Sequence, residues 1–285
     1  MKEIRFPSTL SMDYPGLLSE ALAQVMEVPY GETLTVDLTD TQKVSAFGVA
    51  ALGARLAWLV AAKRLPSGSV IRRPESGRVS NDLMRMGLYR LLQEASVNVY
   101  TGAAMAERPQ ELWLVDNPSE LDNATSRLVS ILRTVLPASA SDFQRITDMF
   151  THLADNSFRH GKVHTGAMIC GQAFPKNGMI EIAVADTGQG MLASLKRFPT
   201  LTETLTGDAN AILTALTLKV RAADGTVRPG FLNTLLATAR KTGGELTCLS
   251  GEAALTLRGG EMRNTKVPFY PGTVIGLRLR LLSNL

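Results

Sequence analysis

His152, Asn156 and His160 follow one another at intervals of four in "THLADNSFRHGK" (151–162), a spacing that lines them along one side of a helix. Phe143, Ile146, Met149, Phe150 and Leu153 recur at threes and fours in the same stretch, which predicts an amphipathic helix over 141–160. An amide between two imidazoles on a core-packing helix needs a polar partner, because buried alone it costs about 1–3 kcal/mol. The second chemical stretch is "IEIAVADTGQGM" (180–191). Ile180, Ile182 and Val184 alternate with Glu181, Ala183 and Ala185, the pattern of a half-buried strand, and the strand delivers Asp186 at its end. An ionised carboxylate only accepts hydrogen bonds, so Asp186 suits an exocyclic amino group such as adenine's. Gly188 and Gly190 let the backbone turn sharply and approach a flat ring closely.

There is no G-x-x-x-x-G-K-[ST], which excludes a P-loop. "GQGMLA" (188–193) fits a dinucleotide fingerprint, but no helix-then-strand unit follows it as that fold requires. The three histidines, His152, His160 and His164, lack the cysteine companions or H-E-x-x-H arrangement of a zinc site. Asp186 and its glycines also suit a plain strand-to-turn transition. Asp155 reads as a structural hydrogen-bonding group. Arg159 and Lys162 read as phosphate contacts or as solvated side chains. Cys170 and Cys248 sit in apolar runs and read as core residues of a protein in a reducing, cytoplasmic compartment.

The positioning elements fall in two sets. "TLTVDLTD" (33–40), "SGSVIRRP", "VNVYTG" and "ELWLVD" read as short strands. Between them come helical patterns at 44–65 and in "VSNDLMRMGLYRLLQEA". The latter is capped by Ser80 or Asn81 and faces Leu83, Met86, Leu88, Leu91 and Leu92 inward. The polar break "DNPSELDN" (116–123) separates a domain at 1–117 from one at 118–285. The second set begins with helices at 119–136 and 141–160. A strand pair, "TGAMICGQAF" and "GMIEIAVAD", follows, joined by an Asn-Gly turn. Then come a helix in "DANAILTALTLKVRA", a helix from Gly230, and strands in "GGELTCLSG" and "GTVIGLRLRLL". Strands interleaved with helices imply two layered α/β domains.

The chain has 285 residues, 45 % hydrophobic and 20 % charged, with 30 basic and 26 acidic side chains for a net charge of +4. Its scattered arginines and lysines, without interleaved aromatics, argue against nucleic acid. The apolar stretch 44–62 is long enough to span a bilayer. Arg55 near its middle would cost about 2.5–3.5 kcal/mol there, so it reads as a buried helix, with no membrane partner and no signal peptide.

"HLADNSFRHG", "ADTGQGM", "RPGFLNTLLATARKTGGELTCLSG" and "PGTVIGLRLRL" occur in an order that resembles the histidine-kinase-like ATP-binding fold. That superfamily includes gyrase-type ATPases, heat-shock chaperones, histidine kinases and mismatch-repair ATPases. The likeness spans about 120–285, and Asn156, His160 and Gly161 are most similar to the anti-sigma-factor serine kinases. It implies an α/β sandwich binding ATP and Mg2+. By position, Asn156 would hold the metal, Asp186 the adenine amino group, and Gly188 and Gly190 the pocket wall, with Thr273 beside Asp186. Residues 191–229 would form a lid. Gly230, Arg228 and His160 fall where phosphate contacts occur, although "GTVRPGFL" carries only Gly225 and Gly230 of the family's richer phosphate turn. His152 stands where the hydrolases place a catalytic glutamate, which departs from the family's pattern. The front part, through "TVDLTD", "FGVAALGARL" and "NDLMRMGLYRLL", resembles STAS domains of anti-sigma-factor antagonists, with a mixed sheet and helices. There Phe47 precedes Gly48 in the place of the phosphorylatable serine, and Ser45 lies nearby. Together the resemblances imply a regulatory protein whose Mg-ATP-dependent lid closure switches contacts with a protein partner. An ATPase or serine/threonine kinase, and a scaffold that binds no nucleotide, are the alternatives.

Overall fold

The computed structural model describes residues 1–66, 68–90, 98–99, 112–115, 117–134, 139–161, 165–221 and 227–280. In chain order come β1 (Lys2–Arg5), β2 (Thr9–Leu10), α1 (Pro15–Met26), β3 (Leu34–Asp37), β4 (Lys43–Val44), α2 (Ala46–Ala61), β5 (Val70–Arg72), α3 (Gly77–Met86) and β6 (Asn98–Val99). After them lie β7 (Leu112–Val115), α4 (Leu121–Arg133), α5 (Ala140–Gly161), β8 (Ala167–Phe174), β9 (Met179–Asp186), α6 (Gly190–Leu195), α7 (Pro199–Thr202), α8 (Asp208–Thr217), β10 (Lys219–Arg221), β11 (Val227–Pro229), α9 (Phe231–Thr242), β12 (Glu245–Arg258) and β13 (Glu261–Arg280). The architecture is mixed α/β, with a four-stranded parallel sheet, a five-stranded antiparallel sheet and two two-stranded pairs, β2-β4 and β10-β11.

The front sheet runs β1-β3-β5-β6. Every described pairing in it is parallel, where the resemblance to STAS domains implied a mixed sheet. Each crossover between neighbours carries a helix or a long connection, the linkage that parallel pairing requires. β7 does not extend this sheet. It pairs antiparallel with β8 and becomes the edge of the second sheet, β12-β13-β9-β8-β7, so "ELWLVD" belongs with the second half of the chain. α3 is capped by Ser76, whose hydroxyl accepts from the Val79 N–H, rather than by Ser80 or Asn81. It stops at Gly87, which takes the left-handed conformation at φ 87° as C-terminal glycines do. Leu91 and Leu92 lie outside the described residues.

The antiparallel sheet is buried on both faces, which corrects the half-buried reading of β9. Ile169, Ile180, Ile182, Val184 and Leu277 pack against Leu128, Phe143, Phe150 and Leu153 of α4 and α5. The opposite residues, Met168, Cys170, Ala183, Ala185 and Val274, share a cluster with Leu18, Leu52 and Leu56 of α1 and α2 and with Ile4, Val36 and Ile71 of the parallel sheet. One core therefore joins the two halves. α2 is what covers the second face: it is buried continuously from Ala46 to Leu56, as a helix apolar all round must be. Among the described residues no helix is long and apolar enough to cross a membrane. Contact is close: a side chain at Gly276 would strike the Phe47 ring at 2.6 Å, and one at Gly48 the Leu10 carbonyl oxygen at 2.3 Å. Ser45, at the N-cap position of α2, is buried and its hydroxyl has no partner.

Charge also crosses this junction. Glu181 is fully buried, accepts from the Phe47 N–H at 2.9 Å and pairs with Arg278 Nη2 at 2.8 Å. Arg278 reaches Asp13 at 3.2 Å and Glu245 at 2.6 Å. Burial pushes the Asp13 carboxyl upward. The Lys43 hydrogen bond and the charges of Arg278, Lys43 and Arg258 outweigh it and hold the carboxyl at about 2.

The β8–β9 hairpin closes through a turn at Pro175–Asn177 and a left-handed Gly178, a four-residue loop built around the expected Asn-Gly. β12 and β13 extend well beyond the two short strands read from the sequence. Residues 251–258 and 261–270 continue the ladder through a two-residue Gly259-Gly260 turn.

Candidate functional site

α5 runs unbroken through 140–161, so His152, Asn156 and His160 do share one helix. Leu153, Ile146, Met149 and Phe150 fix its rotation by packing into the core, which turns Asn156 along the wall of a cavity of about 250 Å³. The end of β9 and the paired β13 form the floor. The register sets Thr273 opposite Asp186, and both line the cavity. α6 and the start of α9 supply further walls, among them Gly190, Met191, Gly230 and Phe231.

A hydrogen-bonded turn holds the floor. The Gly188 N–H donates to Asp186 Oδ1 at 2.9 Å. The Ser250 hydroxyl accepts from the Met191 N–H at 2.9 Å and donates to the Gly272 carbonyl at 2.8 Å. Gly190 sits at φ 76° with Ser250 Oγ only 3.0 Å from where a Cβ would stand. Gly272, at φ 91°, would put a Cβ 2.2 Å from the Asp186 carbonyl oxygen. Glycine is needed at both because of conformation and of space. Two chain segments thus cross at backbone contact directly behind the Asp186 carboxylate.

Asp186 is 3 % exposed, and burial pushes its carboxyl up to about 6, against hydrogen bonds from the Gly188 N–H, the Ser157 hydroxyl and the Thr273 backbone. The surrounding walls are mostly apolar: Leu153, Val184, Met191, Leu195, Phe231 and Ile275. Asp186 is the one carboxylate among the described residues that line this mostly apolar slot, with Asn156, Ser157, Ser194 and Thr273 as its other polar groups. Asn156 is half-buried rather than sealed in the core, so its amide meets the cavity instead of apolar side chains. Among the described residues no group of three or more His, Cys, Asp or Glu side chains is arranged to hold a metal ion. The Asn156 amide lines the cavity, and an amide oxygen is a neutral group of the kind that can ligate a hard cation.

His152 lies apart. It is exposed and its ring tilts against Phe231 with centroids 4.8 Å apart, and it is not among the residues lining the cavity. The side chains of His160 and Arg228 lie outside what the structure describes, as do Lys162, His164 and Gly225. Asp155 pairs with Arg159 at 2.6 Å, which accounts for both as a helix-surface ion pair. Cys170 and Cys248 are buried free thiols, the latter pushed up to about 12 by burial.

The segment 191–229 is not a bare loop. α8 buries Ala211, Ile212 and Leu216, and its first residue Asp208 accepts from the Glu252 N–H at 2.9 Å, which ties it to β12. Sequence reasoning missed Ser157, Ser250 and Gly272. Ser157 adjoins Asn156 on α5. Ser250 and Gly272 acquire their place only from the β12–β13 register, which no local pattern announces. Compared with known proteins, the chain matches no protein-family model and no curated protein, so the reading of this pocket rests on its geometry.

Proposed function

We propose that the cavity binds a purine nucleotide, ATP carried with Mg2+, and that the protein is regulatory, of the histidine-kinase-like ATP-binding type with a STAS-like front half. The observation that carries the proposal is the buried Asp186 carboxylate on the floor of an apolar slot, with the Asn156 amide on the wall above it. In this reading Asp186 accepts from the adenine amino group and Thr273 flanks it. Gly188 and Gly190 bring backbone against the ring, and the α9 start at Gly230 faces the phosphates. His152 turns to Phe231 instead of into the cavity, which favours binding over hydrolysis or phosphoryl transfer. β9 and β13 carry the pocket residues Asp186 and Thr273, and further along the interface residues Glu181 and Arg278. A nucleotide that prefers one arrangement of this strand pair would shift how the front half presents itself to a protein partner.

The test is thermal unfolding of the full chain with and without millimolar Mg-ATP. Ligand at 100 times its dissociation constant adds about 2.7 kcal/mol to the folded state. The midpoint is expected to rise in the wild type and to stay put in Asp186→Asn and Asn156→Ala. An unmoved wild-type midpoint would sink the nucleotide reading and leave the scaffold.

A further inference from the structure

Arg55 lies in α2, inside the core that joins the two halves, with no exposed surface. Its Nη1 donates to the Met26 Sδ at 2.7 Å. Its Nε and Nη2 have no partner, and neither does the Tyr270 hydroxyl. Among the described residues no carboxylate pairs with it. Its guanidinium stacks 5.1 Å from the Tyr270 ring centroid and 5.9 Å from that of Trp58. A second cation, Arg64, lies 5.5 Å from the Trp58 ring centroid.

Burial pushes the Arg55 pKa down from its usual value, yet a guanidinium keeps its proton in proteins. The charge therefore remains, and a buried charge is stable only when it is paired. Two aromatic faces and a thioether attract a cation, but more weakly than a counter-ion in such surroundings. A water molecule could take the spare hydrogen bonds without balancing the charge. An anion does both.

We propose that Arg55 and Tyr270 form a buried site for a small monovalent anion of the halide class, held by the Nε–H and Nη2–H groups and the tyrosine hydroxyl. With Arg55 and Tyr270 both buried, the ion must be small. Its position between α1, α2 and β13 places the ion at the junction between the halves, where burial and, after it, the nearby Asp186 carboxylate push the Tyr270 hydroxyl's pKa up. The proposal is independent of any nucleotide.

Two measurements on the full chain test it. In crystals soaked in sodium bromide, an anomalous difference peak is expected within hydrogen-bonding reach of the Arg55 guanidinium. In solution, replacing gluconate by chloride at constant ionic strength should raise the wild-type unfolding midpoint by about 3 °C once chloride is roughly tenfold over its dissociation constant. Arg55→Met should abolish that dependence. Tyr270→Phe, which keeps the ring under the guanidinium, should weaken it several-fold. No bromide peak at Arg55, or an Arg55→Met variant that responds to chloride as the wild type does, overturns the proposal. If Arg55→Met does not fold, the bromide map and Tyr270→Phe decide.

Discussion

Replacing Asp186 by Asn should make the nucleotide-free protein more stable at neutral pH and less able to bind. Burial lifts the Asp186 carboxyl from 3.8 to about 6. Each pKa unit corresponds to about 1.36 kcal/mol, so ionising this group in the fold costs roughly 3 kcal/mol more than in the unfolded chain. Because the folded state holds the proton more tightly, stability falls as pH rises from about 4 to about 6 and stays low above that. Asparagine carries no charge to desolvate and keeps an oxygen to accept from the Gly188 N–H. It gives up an acceptor for the Ser157 and Thr273 donors, which offsets part of the gain at about 1 kcal/mol for a hydrogen bond. The net expectation is a gain of about 1–2 kcal/mol at pH 7.5, seen by calorimetry as a midpoint about 2–6 °C higher. At pH 4, where wild-type Asp186 is protonated, the two midpoints should converge. A variant that is less stable than wild type at pH 7.5, or a difference independent of pH, would refute the assignment of Asp186 as a desolvated, ligand-directed carboxylate.

Glu181→Gln should destabilise by about 3 kcal/mol in chemical denaturation, since it strands part of a buried charge pair, with Asp13 and Glu245 retaining some hold on Arg278. The segment 118–285 expressed alone should show no cooperative thermal transition. It lacks β7 and bares the Met168, Cys170, Ala183 and Val274 face that α2 covers; a sharp melt would show that the second sheet does not depend on the front half. Gly190→Ala should cost about 1–3 kcal/mol, from its left-handed backbone and the Ser250 hydroxyl at 3.0 Å, and a midpoint equal to wild type would mean that the turn behind Asp186 yields easily.

Much of the local structure was legible because local energetics decide it. The threes-and-fours spacing around Asn156 can bury only one side of α5, and the alternation along 180–186 can form only a strand. The α/β class follows from strands interleaved with helices. The candidate residues Asn156, Asp186 and Thr273 were named from motifs alone, yet their meeting around one cavity belongs to the β9–β13 register, set by side chains far apart in sequence. The sequence left three things undetermined. β9 alternates in a way that suits one buried face, and only the docking of α2 shows that small Ala183 and Ala185 mark a second one. Glu181 reads as a solvent-side residue until Phe47 and Arg278 close over it. β7 carries no label saying which sheet it joins, since edge pairing is chosen by the partner strand. The Gly259-Gly260 hairpin could have been read from its two-residue turn. The helices and strands of this protein were thus determined by near-neighbour chemistry, while the core that joins its halves and its pocket came from contacts that no window of sequence contains.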